Sequence, residues 1–112
     1  MKKTRISFDI ELDENNVPEK IFWTASDGGV SNDESKAVFL SVWDDKNQET
    51  LKIDLWTKDM PLDQMNVFFH QTLVSMNETF LKATQNEKMS DSFKQFCEYF
   101  AENLKLQSPR KL

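Results

Sequence analysis

The 112-residue chain holds few groups that could do chemistry. His70 is its one histidine and Cys97 its one cysteine. Together they could supply two metal ligands, but a structural zinc site wants four with local pair spacing, and no further His or Cys completes it. Catalytic His and Cys also need an orienting partner. His70 therefore reads as a helix-surface residue, and Cys97, on an apolar stripe, as a small buried hydrophobe. The carboxylate pairs Asp13-Glu14, Asp33-Glu34 and Asp44-Asp45 fall in polar clusters. They lack the alternating ligand spacing of a calcium loop and read as solvated turns. Asp27-Gly28-Gly29 lacks the longer glycine pattern and following Lys of a phosphate cradle, and no helix clearly starts there, so it reads as a turn. Asn77-Glu78-Thr79 matches a glycosylation acceptor but lies inside an expected helix. The reading is a non-enzyme with no catalytic residue, no cofactor-binding residue and no metal ligand.

The elements that would position any site centre on Ala37 to Thr57. Val38, Leu40 and Val42 share one parity, and Leu51, Ile53 and Leu55 share the other. A fold-back through Asp45 to Gln48 sets Val42 opposite Leu51, Leu40 opposite Ile53 and Val38 opposite Leu55. All six then share one face of a β-hairpin. The other face carries Phe39, Trp43 and Trp56 among Ser41, Lys52 and Asp54. Upstream, Lys3 to Leu12 alternates, with Ile6, Phe8, Ile10 and Leu12 on one side. Asp13 to Asn16 turns the chain, and Ile21, Trp23 and Ala25 continue as a second strand. Gly28 and Gly29, the only two glycines, mark a turn. The polar segment from Val30 to Lys36 reads as a loop.

At Thr57 the period changes from two to three and four. Pro61 near the first helical position starts a long amphipathic helix, about 61–85, through Leu62, Met65, Phe69, Met76 and Phe80. Gln85 to Lys88 breaks it. Ser90 is the expected N-cap of a second helix with a stripe of Phe93, Phe96, Cys97, Phe100 and Leu104. The order β-β-β-β-α-α argues an α+β fold: a four-stranded antiparallel sheet with two helices packed on one face. Residues 1–106 would form a single domain, with 107–112 as a frayed tail.

Net charge is −5, and it is uneven: residues 1–60 carry 8 Lys/Arg against 13 Asp/Glu, and residues 61–112 carry 6 of each. The acidic half would repel phosphate backbones and anionic membrane surfaces, which argues against a nucleic-acid partner. No run approaches the roughly 18 apolar residues of a membrane helix, and charges at Asp9 and Glu11 interrupt any signal-like segment. The expectation is a cytoplasmic protein without membrane insertion. Aromatic residues surplus to the core, Phe22, Phe39, Trp43 and Trp56, fall on the sheet face opposite the aliphatic layer. Apolar patches of this kind mark interaction surfaces. They are the candidate protein-interaction residues, with burial under another segment or in a homo-oligomer as the alternative.

Four segments carry a family resemblance: VPEKIFWTASDGG, AVFLSVWDDKNQETLKIDLWTKDMP, FFHQTLVSMNETFLKATQNEKM and FCEYFAENL. Together they closely resemble the GldC family of gliding-motility-associated proteins from Bacteroidota, over about residues 1–105. The resemblance implies a small cytoplasmic accessory protein of gliding motility, a machinery coupled to the type 9 secretion system. The family is often encoded beside the lipoprotein GldB, which the resemblance makes a candidate partner. It carries over no catalytic residue. A second resemblance is topological: four antiparallel strands followed by a long and a shorter helix look like the export chaperone SecB. By analogy, that suggests a holdase binding unfolded clients.

Overall fold

The computed structural model describes residues 1–106, so the expected tail at 107–112 lies outside the described residues. Five strands and two helices follow in order. They are β1 (Ile6–Leu12), β2 (Pro18–Ala25), β3 (Val30–Ser35), β4 (Ala37–Asp44), β5 (Glu49–Trp56), α1 (Leu62–Thr84) and α2 (Glu87–Asn103). The class is α+β, but the expected four-stranded sheet is replaced by two antiparallel sheets, β1-β2-β3 and β4-β5. The chain divides into two compact units, one spanning Met1–Met60 and the other beginning at Pro61.

The extra strand is β3, the segment read from sequence as a loop. Its residues VSNDES show no apolar alternation. They need none, because β3 is an edge strand held to β2 through its backbone: Ile21 opposes Ser35, Phe22 opposes Glu34 and Trp23 opposes Asp33, and the Asn32 N–H donates to the Thr24 hydroxyl at 3.0 Å. An irregularity between Trp23 and Ala25 and a positive φ at Asn32 break its regularity further. Between β2 and β3 a short 3-10 turn, Ser26–Gly28, ends at Gly29 with φ of +75°. Gly29, rather than both glycines, supplies the left-handed residue the turn requires.

In the three-stranded sheet, Ile6, Phe8 and Ile10 of β1 oppose Ala25, Trp23 and Ile21 of β2. Directly opposed residues share a face, so these six form its apolar layer. Ile21 is completely buried there, and the Phe8 and Trp23 rings stack at 6.1 Å. Pro18 opens β2, a position where a missing N–H is tolerated.

The β4–β5 hairpin has the expected register: Val38 opposes Leu55, Leu40 opposes Ile53 and Val42 opposes Leu51. The four-residue loop from Asp45 to Gln48 closes it, with the Gln48 N–H donating to the Asp44 carbonyl at 2.8 Å and Gln48 left-handed at φ 53°. Of the six aliphatic side chains read as core, Leu40, Val42, Leu51 and Ile53 are exposed. Alternation assigns side chains to a face; it does not say what covers that face.

In the second unit, α1 ends at Gln85, whose left-handed backbone lets its N–H reach the Leu81 carbonyl. One residue later, Asn86 caps α2: its side chain accepts the Met89 N–H at 3.0 Å. The expected cap, Ser90, is instead inside α2 and buried, and its hydroxyl donates to the Asn77 side-chain oxygen of α1 at 2.8 Å. A serine three residues into a helix has no unbonded helix-terminal N–H to serve, so it bonds across the helix pair instead.

Candidate functional site

His70 stacks on Phe100 across the helix pair, with ring centroids 6.3 Å apart and planes 13° from parallel. It is part-buried, and the contact is one of packing. Phe100 in turn meets Phe96 at 6.1 Å. Cys97 is buried, and that burial pushes its thiol pKa above the ordinary value, which disfavours the reactive thiolate. Among the described residues no group of three or more His, Cys, Asp or Glu side chains could hold a metal ion. No described helix is long and apolar enough to cross a membrane.

The polar chemistry of the first unit gathers where the two sheets are fastened together. Thr57, buried at the end of β5, donates its N–H to the Lys36 carbonyl at 2.8 Å and its hydroxyl to Asp59 Oδ1 at 2.6 Å. The Lys36 ammonium meets Asp59 Oδ2 at 2.9 Å. The Lys58 N–H donates to the Pro18 carbonyl at 3.0 Å, and its ammonium meets Asp13 Oδ2 at 2.9 Å. Asp13 also accepts the N–H groups of Asn15 and Val17, which closes the β1–β2 turn. The hydrogen bond from Lys58 is the largest influence holding the Asp13 carboxyl down to about 2, and Asp13 raises Lys58 in return. Asp59 is lowered by the Thr57 hydroxyl first and by Lys36 next, while its carboxylate raises Lys36. Every one of these groups has a partner within the clasp, which marks it as architecture. Sequence reading missed it because Asp13 and Lys58 are 45 residues apart.

Beside the clasp, Phe8, Trp23, Ser35, Ala37, Val38 and Phe39 line an open cleft of about 280 Å³. The Ser35 hydroxyl oxygen is buried there with no hydrogen-bond partner among the described atoms.

The structure places the four candidate interaction residues on two different sheets. Phe22, half-buried on β2, lies between Asp9 of β1 and Glu34 of β3, in an acidic row. Phe39, half-buried on β4, lines the cleft. Trp43, 65% exposed, opposes Thr50 near the hairpin loop; Trp56, 53% exposed, opposes Ala37 at its base. Six positions of β4 separate those two rows, about 20 Å at 3.3–3.4 Å per residue. Lys52 and Asp54, ion-paired at 3.1 Å, stand on the same face between them. The tryptophans are thus two separate apolar points. The continuous apolar surface is the aliphatic face, where Val42 is 50% and Ile53 55% exposed. An alternating pattern with equally apolar residues on the neighbouring strand was the signal for it. The arrangement can bind apolar surface; it brings no nucleophile, base and orienting group together.

A family model described as gliding motility-associated protein GldC-like matches residues 18–106. Neither the curated proteins nor the solved structures yield a match.

Proposed function

The chain belongs to the GldC-like family of gliding motility-associated proteins, and from that premise we propose a non-enzymatic, cytoplasmic accessory protein that acts by binding another protein. The observation that carries this reading is the β4–β5 hairpin. It holds exposed aliphatic residues on one face and an exposed tryptophan at each end of the other. Large exposed apolar side chains concentrated on one element are the usual mark of a protein-binding surface, and tryptophans are frequent anchors of such surfaces. The partner belongs to the gliding machinery, and the lipoprotein GldB is the first candidate. The test is capture of GldB and other gliding components by the native chain and by a Trp43→Ala/Trp56→Ala variant. The variant loses capture and keeps a near-native far-ultraviolet circular dichroism spectrum. Undiminished capture by a folded variant removes the tryptophans from the binding surface.

The exposed aliphatic face also supports a second reading, a SecB-like holdase for unfolded export clients. That reading requires the chain to suppress aggregation of unrelated unfolded proteins. A chain that captures gliding components and leaves such aggregation unchanged favours the first reading.

A further inference from the structure

The three-stranded sheet ends at β1, whose outer edge has no strand beside it. The direction of its open backbone groups follows from one contact. The Asp13 N–H bonds the Val17 carbonyl at 2.9 Å, so Asp13 turns its backbone groups toward β2. The extra residue in the β1–β2 ladder is Glu19 of β2, because Glu11 opposes Lys20 and Leu12 opposes Pro18. β1 therefore alternates without interruption. Glu11, Asp9 and Ser7 bond toward β2, and Leu12, Ile10, Phe8 and Ile6 turn their N–H and C=O groups to the outer edge. Among the described residues, none from Lys3 to Glu11 makes a backbone bond outside β2. A helix uses its own backbone groups, so an open row of this kind is met by water or by another strand.

Charge on an edge strand normally keeps other strands away. Along β1 and the residues before it the signs are ordered. Lys3, Arg5, Ser7, Asp9 and Glu11 share one parity, positive before Ser7 and negative after it. All four charged residues are exposed, and among the described residues none of them is in an ion pair. The β1–β2 ladder ends where Ile6 opposes Ala25, so Lys3 and Arg5 have no β2 residue opposite them. Turned about a twofold axis at Ser7, the row is complementary to itself.

We propose that two copies of this chain join antiparallel along the outer edge of β1, about that axis, to form a continuous six-stranded sheet. In this register Arg5 opposes Asp9 of the second copy and Lys3 opposes its Glu11, each pair occurring twice. Ile6 meets Phe8 of the second copy and Thr4 meets its Ile10, so even residues bond even residues as the open edge requires. Ile6, 64% exposed in the single chain, is then flanked by an aromatic ring, and the two apolar layers become one. A slip of two residues that puts the axis at Ile6 sets Arg5 against Ser7 and keeps only Lys3 with Asp9. The opposite slip sets Asp9 against Ser7 and Lys3 against Asp13, which Lys58 already holds. A slip of one opposes charged to apolar residues and mismatches the bonding edges. The interface is isologous, the commonest arrangement of soluble dimers.

The test is the mass of the full chain by light scattering in the micromolar range, for the native chain, for Asp9→Arg and for Arg5→Asp/Asp9→Arg. The native chain runs at twice the chain mass. Asp9→Arg opposes two arginines at each end and runs at the chain mass with its strand signal intact. The double exchange restores opposite signs across the axis and returns to twice the chain mass, which loss of fold in the single variant would not explain. In a Cys97→Ser background, Ser7→Cys places two thiols across a non-hydrogen-bonded pair, about 4.5 Å between Cα atoms, and oxidation links the copies. A native chain at single mass, a folded Asp9→Arg still at double mass, or a folded double exchange at single mass overturns the proposal. If the arginine variants unfold, Ser7→Cys decides: a cross-linked dimer supports this register, and none overturns it.

Discussion

Replacing Ile21 by alanine should remove a third or more of the stability of the first unit. Among the described residues, Ile21 is the one large side chain with no exposure, on β2 between Ile10 and Ser35. The change deletes three buried carbons, about 2.4 kcal/mol at about 0.8 kcal/mol each. The cavity left behind brings the total to about 3 kcal/mol, inside the range for Ile→Ala in cores. A unit of about 60 residues holds roughly 3–9 kcal/mol in all. Ile53→Ala is the internal control. The residue type is the same and also in mid-strand, but its side chain is 55% exposed, so the loss should be about 1 kcal/mol. The assay is urea unfolding followed by fluorescence in a Trp43→Phe/Trp56→Phe background. That leaves Trp23, stacked on Phe8 beside Ile21, as the single reporter. A loss below about 1 kcal/mol for Ile21→Ala, or equal losses for the two alanines, would refute the assignment of the core.

Two further outcomes follow from hydrogen bonds outside that layer. The Asp13 carboxyl is held to about 2 against an ordinary 3.8, so its contribution to stability is present above about 3.8 and is lost as pH falls through about 2. Urea midpoints measured from pH 5 down to 2 should fall more for the native chain than for Asp13→Asn, which starts lower and has less to lose. Ser90→Ala should cost the helical unit about 1–2 kcal/mol by leaving the Asn77 amide oxygen without its donor, read as a lower melting midpoint at 222 nm.

The hairpin was legible in the sequence to the residue, because its two aliphatic sets fix a register only if both arms fold about Asp45 to Gln48. The start of α2 was readable only in part. A break at Gln85 was visible, but a single left-handed residue suffices for it, so Asn86 caps the next helix at once and Ser90 is freed for Asn77. β3 left no signal, since an edge strand held by backbone bonds imposes no side-chain period. The clasp of Asp13, Lys36, Thr57, Lys58 and Asp59 joins residues far apart in the chain that look like ordinary surface polar groups. For the candidate site, periodicity correctly placed Phe39, Trp43 and Trp56 on one hairpin face. It gave no account of the six-residue separation of the Trp rows or of the Lys52–Asp54 pair between them.

The central claim is that the hairpin serves gliding motility by binding a protein. It is tested most directly by the gliding speed of cells in which the chromosomal copy carries Trp43→Ala and Trp56→Ala, at matched protein level. These cells should stop gliding or slow severely while the variant accumulates as a folded protein. Gliding at the native speed with a folded, fully expressed variant would contradict it.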